Sequence, residues 1–456
     1  MTSFKRQSIL AAAASAFALL AASHAFAGEG NDRSAFGCSN LEDISELQMI
    51  EGKDGMFYRI LADMRLQHAF TPEVIDRMAE MAKALEAKGT TLIYVPVPTK
   101  SQVLPQYAPQ RAELYGFDPS IARAVYDDVV ERLNKKGVRT IDIASPMRDN
   151  PENQFGELAF FKSDFHWTAQ GANAAAEAVG EKIKSLPEYG DVTPVKFKRE
   201  DGPVSSEFSS MRKLLQQHCI SSVPQVKAHT YVVSRDDDAP ADGDAGSGLD
   251  IFGNEDTGGI ALIGTSYSDK TISNFAGLLQ YWSGLPVENY SISGGNQFGS
   301  ILSYITSREF QEQRPRFLIW ENPIYNNLGQ YGDGPWYEII AASRGECDQE
   351  IKLRPGEANS FHADLSNVSF APGDVLLADA GDGGNRKATF AFTGSDGEVR
   401  TRSISRDDRL RATGRYFAST AGMPKGALNG LDLTFDTNAG SDTTLHICKT
   451  NLGEQS

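Results

Sequence analysis

Positive charge is scarce in this chain of 456 residues. Its 44 lysine and arginine residues face 60 aspartate and glutamate residues, so the formal net charge is −16 at pH 7. This balance argues against nucleic acid as a partner, because a negative surface repels phosphate groups. Long apolar runs are also missing after the first 27 residues. None approaches the ~20 apolar residues that span a bilayer, so no membrane-spanning helix is expected there.

The first 27 residues differ from the rest of the chain. Lys5 and Arg6 precede an apolar, alanine-rich run over residues 9–22, and residues 25–27 read Ala-Phe-Ala, the A-x-A pattern of signal-peptidase sites. Residues 1–27 are therefore predicted to be a signal peptide. Loss of its two positive charges takes the net charge from −16 to −18. The expected product is exported and soluble.

Cysteine is rare, with four residues in the whole chain: Cys38, Cys219, Cys347 and Cys448. None belongs to a C-x-x-C motif or stands near a histidine at the spacing of metal ligands, so neither a metal nor another cofactor is expected. An even number of cysteines in an exported chain favours disulfide bonds. Three pairings are possible. If the chain divides near residue 345, the economical pairing joins Cys38 to Cys219 and Cys347 to Cys448.

Helical and strand-like segments alternate up to about residue 340. Residues 72–89 have apolar positions at helical spacing and end in glycine, and the β-rich run Thr-Thr-Leu-Ile-Tyr-Val-Pro-Val-Pro follows at once. A second helix-like segment leads into a predicted strand at 138–143. Further strands are predicted at 260–263, 287–292 and 316–320. This order is typical of βαβ units, so we expect a parallel sheet covered by helices.

Two later regions depart from this pattern. Residues 234–259 are acidic and rich in glycine and alanine, and we interpret them as a solvated loop without a metal site. From about residue 350 the chain consists of short β-rich runs separated by turn residues, which predict an antiparallel β-sandwich of about 100 residues. We therefore expect an α/β domain over residues 28–345 and a β module over residues 346–456.

His166 differs from the other histidines because an aspartate lies two residues before it, in the run Phe-Phe-Lys-Ser-Asp-Phe-His-Trp-Thr over 160–168. The run Leu-Ala-Phe-Phe-Lys reads as a strand, and a helix with Thr168 as its N-cap is predicted to follow. Open α/β sheets bind ligands at the carboxyl ends of their strands. Asp164 there would fix the tautomer of the His166 imidazole and raise the basicity of its other nitrogen.

A nucleophile is predicted where the apolar strand at 260–263 runs into Gly-Thr-Ser-Tyr-Ser and then a helix. A serine at such a turn can expose its hydroxyl and aim its own backbone N–H at a developing oxyanion. Ser266 is the first candidate and Ser268 the second. G-x-S turns and D-x-H patterns are each common. Together, after strands of one parallel sheet, they favour a triad of Ser266, His166 and Asp164.

The Gly-Thr-Ser-Tyr-Ser turn, the Asp-Phe-His-Trp-Thr motif, the export signal, the four cysteines and the β-rich C-terminal region together resemble the periplasmic alginate O-acetyltransferases of the AlgX and AlgJ type. The resemblance covers nearly the whole mature chain. It implies an SGNH-hydrolase-like domain joined to a carbohydrate-binding module. It also implies a triad that acetylates mannuronate residues of alginate through an acyl-serine. A membrane acetylation system would supply the acetyl group, and secretion-complex proteins would be partners of a monomer.

The same resemblance implies a circularly permuted sheet. SGNH hydrolases carry the serine block first, whereas the Asp-x-His motif here precedes Ser266 by about 100 residues. In the permuted order, the run Gly-Gly at 294–295 corresponds to the second SGNH sequence block, which supplies a glycine. The run Leu-Ile-Trp-Glu-Asn corresponds to the third block, which supplies an asparagine. A simple turn and a strand-end cap are the alternatives. The oxyanion-hole candidates are Gly294, Gly295 and Asn322.

Between residues 386 and 415 eight basic residues face four acidic ones. Such a segment suits an anionic polysaccharide, with an aromatic ring available to stack on sugars. No tryptophan follows Trp336, so the commonest sugar-stacking side chain is missing, and solvated strand faces are the alternative. Lys100 follows another predicted strand, and a surface position is its alternative. Trp167 lies beside the predicted site, and core packing is its alternative. The polysaccharide-binding candidates are Lys100, Trp167, Arg386, Lys387, Arg400, Arg402 and Tyr416.

Two other functions fit the same residues. A polysaccharide acetylesterase uses the same triad with water in place of the sugar hydroxyl, and only acceptor binding and water exclusion separate the two activities. A non-catalytic polysaccharide-binding or assembly protein could retain the esterase-like scaffold. The acceptor is likewise open to another uronate polymer or to cellulose.

Overall fold

The protein is described by a computed structural model over residues 33–236, 259–381, 384–424, 428–437, 439–450 and 452. The predicted signal peptide and most of the acidic segment lie outside these ranges. The described helices are α1 Ile60–Asp63, α2 Pro72–Glu86, α3 Lys100–Val103, α4 Pro119–Lys135, α5 Ala144–Asp149, α6 Ala169–Lys184, α7 Ser210–Gln217, α8 Ser266–Asp269, α9 Phe275–Ser283, α10 Gly299–Ile305, α11 Arg308–Glu312 and α12 Gly334–Arg344.

The described strands alternate with these helices in the first part of the chain and follow one another in the last part. They are β1 Met49–Glu51, β2 Phe57–Arg59, β3 Thr91–Val97, β4 Arg139–Thr140, β5 Phe197–Ser206, β6 Lys227–Arg235, β7 Ile260–Ile263, β8 Val287–Asn289, β9 Phe317–Pro323, β10 Gln349–Glu350, β11 Leu353–Pro355, β12 Ser360–Asp364, β13 Val375–Asp379, β14 Lys387–Gly394, β15 Val399–Ser405, β16 Arg415–Ser419, β17 Leu428–Phe435 and β18 Thr444–Cys448.

Five strands form the predicted parallel sheet, in the order β4-β3-β9-β7-β8. Both faces are covered, which explains why β3, β7 and β9 read as continuous apolar runs. Ile93 and Val95 of β3 pack into a cluster with residues of α6 and α9. Leu92 and Tyr94 point to the opposite face and pack with α2, α4 and α12. The predicted α/β class is confirmed.

Local sequence signals account for several helix boundaries. Thr71 caps α2 and is followed by proline at the first helical position, where the missing N–H costs nothing. Thr168 caps α6 by accepting a hydrogen bond from Gly171 N, as predicted. α6 is rich in small residues and packs closely on α9. A Cβ on Gly180 would lie 2.7 Å from the Trp282 backbone, so glycine permits this approach.

Three predicted strands are shorter than predicted or absent, and one of them, predicted at 287–292, ends at Asn289. The strand predicted at 138–143 is reduced to Arg139–Thr140, since α5 begins at Ala144. The run Leu-Ala-Phe-Phe-Lys is not a strand at all. It belongs to a loop closed by an isolated bridge between Phe160 and Trp167, with Phe161 N donating to His166 O at 3.2 Å. The prediction was wrong because a run of apolar residues indicates burial, which a loop inside the core also provides.

The C-terminal region is a sandwich of two antiparallel sheets, as predicted. One has the order β10-β18-β13-β16 and the other β11-β12-β17-β14-β15. Their inner faces share one apolar cluster. Val375 and Phe417, on the other face of the smaller sheet, pack into the core that contains α10 and α12. The change of architecture falls between the end of α12 and the start of β10, and the proposed domain limits, 28–345 and 346–456, remain a prediction.

Both predicted disulfide bonds are present. Cys38 and Cys219 are joined with an S–S distance of 1.99 Å, and Cys347 and Cys448 with 2.04 Å. The first bond ties the start of the described chain to the segment that follows α7. The second ties the connection after α12 to the last strand of the sandwich. Among the described residues, no helix has the length and apolar character needed to cross a membrane.

Candidate active site

Ser266 begins the short helix α8 directly after the buried strand β7. Gly264 and Thr265 form the turn, and the Thr265 hydroxyl caps the helix by accepting a hydrogen bond from Tyr267 N at 3.4 Å. A Cβ on Gly264 would lie 2.4 Å from Glu321 Oε2, so this turn needs glycine for steric reasons. The Ser266 hydroxyl is thereby held at the carboxyl end of a central parallel strand.

The three predicted residues are brought together in one chain of hydrogen bonds. Ser266 Oγ lies 2.7 Å from His166 Nε2, and His166 Nδ1 lies 2.6 Å from Asp164 Oδ1. An ionised carboxylate can only accept, so Nδ1 carries the proton and donates it to Asp164. His166 Nε2 is then left with a free lone pair toward the Ser266 hydroxyl. This is the order that serine activation requires.

The Asp164–His166 pair is formed by a local turn and not by an extended strand. Asp164 Oδ1 accepts from the backbone N–H of His166 at 2.8 Å as well as from its ring. The Asp164 side chain therefore closes a turn of its own backbone, as aspartate often does when the donor N–H lies two residues later. The loop is anchored further by Trp167 Nε1, which donates to Tyr267 O at 2.8 Å in the nucleophile segment.

Burial and hydrogen bonds set the charges of the pair. Burial by itself raises the pKa of Asp164, but hydrogen bonds and charge from His166, together with a hydrogen bond from Ser209, hold that pKa well below its ordinary value. Burial lowers the pKa of His166 from 6.5, and the hydrogen bond and charge of Asp164 offset this only in part. At neutral pH the resting pair is therefore an ionised aspartate and a neutral histidine able to accept a proton.

Ser209 is a member of this network that the sequence reasoning missed. It is buried, and its hydroxyl donates to Asp164 Oδ2, the oxygen that His166 leaves free. The same hydroxyl accepts from Arg212 N at 3.0 Å and so caps α7. The sequence signal was a serine before a helix, which predicts a cap but gives no indication of a partner 45 residues earlier.

Glu321 is a second residue that the sequence reasoning did not assign. It is fully buried in β9 and accepts from Thr265 N at 2.7 Å, from the Thr265 hydroxyl and from Ser268 Oγ at 2.9 Å. Burial raises its pKa to about 7 although these hydrogen bonds act to lower it. Ser268 is thereby engaged with Glu321, which leaves Ser266 as the serine that faces the histidine.

Aromatic rings and one arginine surround the histidine. The Phe165 ring centroid lies 4.1 Å from that of His166, and the Tyr267 centroid 4.8 Å from it. The Arg59 guanidinium stacks between Phe165, at 4.3 Å, and Tyr325, at 4.5 Å, and forms a buried ion pair with Asp63. These groups exclude water from one side of the imidazole, and the positive charge of Arg59 opposes its protonation.

The predicted oxyanion-hole residues are engaged elsewhere in this structure. Gly295 N donates to Ile292 O at 3.2 Å, and Gly294 occupies a turn with φ +74° whose carbonyl accepts from Arg409. The Asn322 amide is buried, donates to Gln297 O at 3.1 Å and accepts from Asn326. Among the described residues, no hydrogen bond joins any of the three to Ser266. Turn and strand-end packing, the alternative interpretations, describe what these residues do here.

Three of the polysaccharide-binding candidates are in the interior, which corrects the expectation that they face a polymer. Lys100 is 1% exposed, donates to Phe57 O at 2.8 Å, and burial lowers its pKa to about 7. Trp167 and Tyr416 are also 1% exposed. Tyr416 donates to Asn385 O, and Trp167 packs against Phe275. The position of Lys100 after a strand and the alternation of residues around Tyr416 do not indicate the distant segments that bury these side chains.

The remaining candidates lie at the surface of the sandwich and differ in the hydrogen bonds and ion pairs that hold their side chains. Arg386 donates to Asp407 O and Leu410 O, Arg400 pairs with Glu398, and Arg402 donates to Ala421 O at 2.9 Å. Lys387 is exposed at the start of β14. Much of the basic segment therefore binds carbonyl and carboxylate groups of its own module, and a role in polymer binding stays a prediction.

Comparisons with known proteins agree with this architecture. A family model described as "ALGX: SGNH hydrolase-like domain, acetyltransferase AlgX" matches residues 49–324. The chain is 31% identical over 282 residues to "Alginate biosynthesis protein AlgX" of Pseudomonas aeruginosa, an alignment that covers 62% of this chain and 57% of the relative. It is 24% identical over 287 residues to "Probable alginate O-acetylase AlgJ" of the same species, covering 59% and 68%.

A solved structure has the same fold over most of both chains. The structure of Pseudomonas aeruginosa AlgX matches with a TM-score of 0.70 and 22% sequence identity, and the match covers 88% of this chain and 94% of that one. At that identity the match is evidence for the fold alone. The sequence alignment with the AlgX relative spans little more than half of that protein's length.

Proposed function

Because the chain belongs to the family of SGNH hydrolase-like acetyltransferases represented by AlgX, we propose that it is a serine-dependent polysaccharide O-acetyltransferase. The observation that carries this proposal is the Ser266–His166–Asp164 chain of hydrogen bonds, with distances of 2.7 and 2.6 Å. A buried histidine whose pKa is shifted by desolvation and by a specific carboxylate partner is typical of functional sites. Ser266 is assigned as nucleophile, His166 as general base and acid, and Asp164 as the group that orients it.

In the first half-reaction an acetyl group moves from its donor to the enzyme. His166 Nε2 accepts the proton of Ser266 Oγ while that oxygen attacks the acetyl carbonyl carbon. The tetrahedral intermediate collapses and the bond to the donor's leaving group breaks. His166 Nε2 donates the proton that it accepted from Ser266 to this leaving group. The product is an acetyl ester on Ser266. The backbone N–H of Ser266, in the first turn of α8, has no acceptor within that helix and is our candidate oxyanion donor.

In the second half-reaction the acetyl group moves to a sugar. His166 Nε2 accepts a proton from an acceptor hydroxyl, the resulting oxygen attacks the acyl-serine, and collapse returns the proton from His166 to Ser266 Oγ. Water in place of the sugar would give hydrolysis. The aromatic rings of Phe165 and Tyr267 beside the imidazole reduce access of water on that side, which favours transfer.

The acceptor we propose is an exported acidic polysaccharide, with mannuronate residues of alginate as the first choice. The support is the similarity to two relatives, an alginate biosynthesis protein and a probable alginate O-acetylase. The predicted signal peptide and two disulfide bonds support a periplasmic location. A membrane acetylation system as the source of acetyl groups, and partners in a secretion complex, belong to the same proposal.

The test is acetyl transfer by the purified mature protein. Mannuronate oligomers, guluronate oligomers and cello-oligosaccharides of equal length are incubated separately with a small aryl acetate, and the oligomers are weighed by mass spectrometry. We expect ester-linked acetyl groups on the mannuronate oligomers and few on the others. Donor hydrolysis without transfer to any oligomer would identify an esterase. No donor turnover by a protein with a native circular dichroism spectrum would favour a binding or assembly role.

Replacing Ser209 by alanine is expected to lower kcat about tenfold, the size of a hydrogen bond to a charged group. Without the Ser209 donor more negative charge faces the His166 ring, which stabilises the imidazolium and raises its pKa. The acidic limb of the pH–activity profile should therefore move to higher pH. Ser209→Thr keeps the hydroxyl and should restore both values. The measurement is kcat against pH for the natural protein and both variants.

The control for this prediction is another capping serine. Ser307 caps α11 by accepting from Phe310 N at 3.2 Å and, in the part of the chain that the structure describes, forms no hydrogen bond to the triad. Ser209→Ala and Ser307→Ala should each lower the free energy of unfolding by about 1 kcal/mol, but only the first should shift the pH profile. Equal shifts in both variants, or none in either, would show that Ser209 acts through stability alone.

A further inference from the structure

A cavity of about 500 Å³ opens beside α7, within the size range of ligand sites. Its lining includes residues 207–209, Arg212, Lys213, Gln217 and Gln225, and we call it the α7 groove. These residues come from the segment before α7, from the helix itself and from the connection that follows. Neither the triad nor the basic segment of the sandwich contributes to this lining, so the groove is separate from the features described above.

The α7 groove is connected to the triad on two sides. Ser209, in its lining, donates to Asp164 Oδ2, so the groove wall is one hydrogen bond from the Asp164–His166 pair. Glu207, at its edge, forms an ion pair with Lys270, which follows α8 and the nucleophile. Lys270 is close enough to oppose the protonation of His166. The α7 groove therefore borders residues that contact Asp164 and Lys270, on two sides of the triad.

The groove is positively charged in an acidic protein. In its lining, the cations of Arg212 and Lys213 outnumber the single carboxylate of Glu207, which is paired with Lys270. Arg212 donates to Pro224 O at 2.9 Å and to Val223 O at 3.2 Å, so its guanidinium is held in place by carbonyl groups. Among the described residues, neither Arg212 nor Lys213 forms an ion pair with a carboxylate. Such uncompensated cations are suited to the carboxylates of a uronate chain.

The neutral side chains of the groove are suited to sugar rings. Phe208 is 74% exposed, which is unusual for a phenylalanine and costs hydrophobic free energy in the free protein. An exposed ring can stack on the apolar face of a sugar. The amides of Gln217 and Gln225 are exposed and have donors and acceptors for hydroxyl groups.

We propose that the α7 groove binds the acidic polysaccharide acceptor next to the network of Ser266, His166 and Asp164. This inference rests on the proposed function and extends it, since it assigns a binding site for the acceptor in the α/β domain. Lys213 attracts carboxylates of the uronate chain, Phe208 stacks on a sugar ring, and Arg212 holds the groove wall in shape.

The test uses the mature protein with Lys213→Glu and Phe208→Ala as groove variants. Matched controls are Lys88→Glu, exposed just beyond α2, and Leu114→Ala, an exposed apolar side chain elsewhere. For each protein, kcat/KM is measured for acetyl transfer to mannuronate oligomers and for hydrolysis of the aryl acetate without an oligomer. We expect the ratio of the first to the second to fall roughly tenfold in Lys213→Glu, through KM for the oligomer. It should stay unchanged in both controls.

Direct binding separates this inference from the proposed function. Calorimetry with mannuronate oligomers is carried out on Ser266→Ala with and without Lys213→Glu, in low and high salt. Weaker binding in the double variant and in high salt supports the groove even if no transfer is seen, in which case only the proposed activity fails. Equal binding by both proteins, or equal binding of neutral cello-oligosaccharides, would overturn the groove as an acidic-polymer site.

Discussion

Replacing Ser266 by alanine is expected to reduce acetyl transfer by roughly a millionfold, as removal of a triad serine does elsewhere. The Ser266 hydroxyl is the group that faces His166 Nε2, at 2.7 Å, and it would form the covalent bond to the acetyl group. Ser268, the other serine of this segment, does not face His166, because its Oγ donates to Glu321. The measurement is the rate of acetyl appearance on mannuronate oligomers, with intact-mass detection of an acyl-enzyme during turnover.

Ser268→Ala is the matched control for this prediction. Ser268 lies in the same turn and is buried, and its loss removes a hydrogen bond to Glu321 of 2.9 Å. We expect a decrease of about 1 kcal/mol in the free energy of unfolding and a transfer rate within about tenfold of the natural protein. A serine-directed sulfonyl fluoride should label the natural protein and Ser268→Ala but not Ser266→Ala. The reverse pattern would make Ser268 the nucleophile.

Asp164→Asn is expected to lower kcat by about 10⁴-fold, because asparagine does not hold the imidazole in the tautomer that leaves Nε2 unprotonated. Asp164 also raises the pKa of His166 through its hydrogen bond and charge, against the lowering caused by burial. Without the carboxylate this pKa falls further below 6.5. The acidic limb of the pH–activity profile should therefore move to lower pH while the plateau falls. The measurement is kcat from pH 4 to 9, values chosen to bracket the ordinary pKa of histidine, about 6.5.

The control for Asp164→Asn is a buried aspartate outside the site. Asp374 is 1% exposed and accepts hydrogen bonds from Ala371 N and Lys449 in the sandwich. Asp374→Asn should destabilise the protein and leave kcat and the pH profile near those of the natural chain. A loss in Asp164→Asn no larger than in Asp374→Asn would remove Asp164 from the triad. The opposite displacements expected for Ser209→Ala and Asp164→Asn make the profile a direct test of the network.

The parts of the site that depend on neighbouring residues could be predicted from the sequence. Asp164 reaches His166 across two residues, and Thr168 caps the helix that follows. The glycine before Thr265 marks the turn between β7 and α8. A short peptide segment can adopt each of these arrangements by itself, so the order of residue types along the segment is enough to predict them.

Positions that depend on distant packing were predicted less well. Lys100 at a strand end and Tyr416 in a strand are both buried with backbone carbonyls as partners, because other segments fold over them. The run before Asp164 forms a loop inside the core, although its composition favours a strand. In each case the residue type was compatible with two environments, and a partner far along the chain selected one of them.

Contacts between residues close in the chain are enough to predict the helix and strand periodicities, the turn before Ser266 and the Asp164–His166 pair. The meeting of His166 with Ser266, 100 residues later, and the contacts of Ser209 and Glu321 on the two sides of the site depend on tertiary structure. The contact of Glu321 with the turn before Ser266 follows from strand order, because β9 lies next to β7 in the sheet. Strand order is a result of burying the whole sheet at once, and no local pattern encodes it.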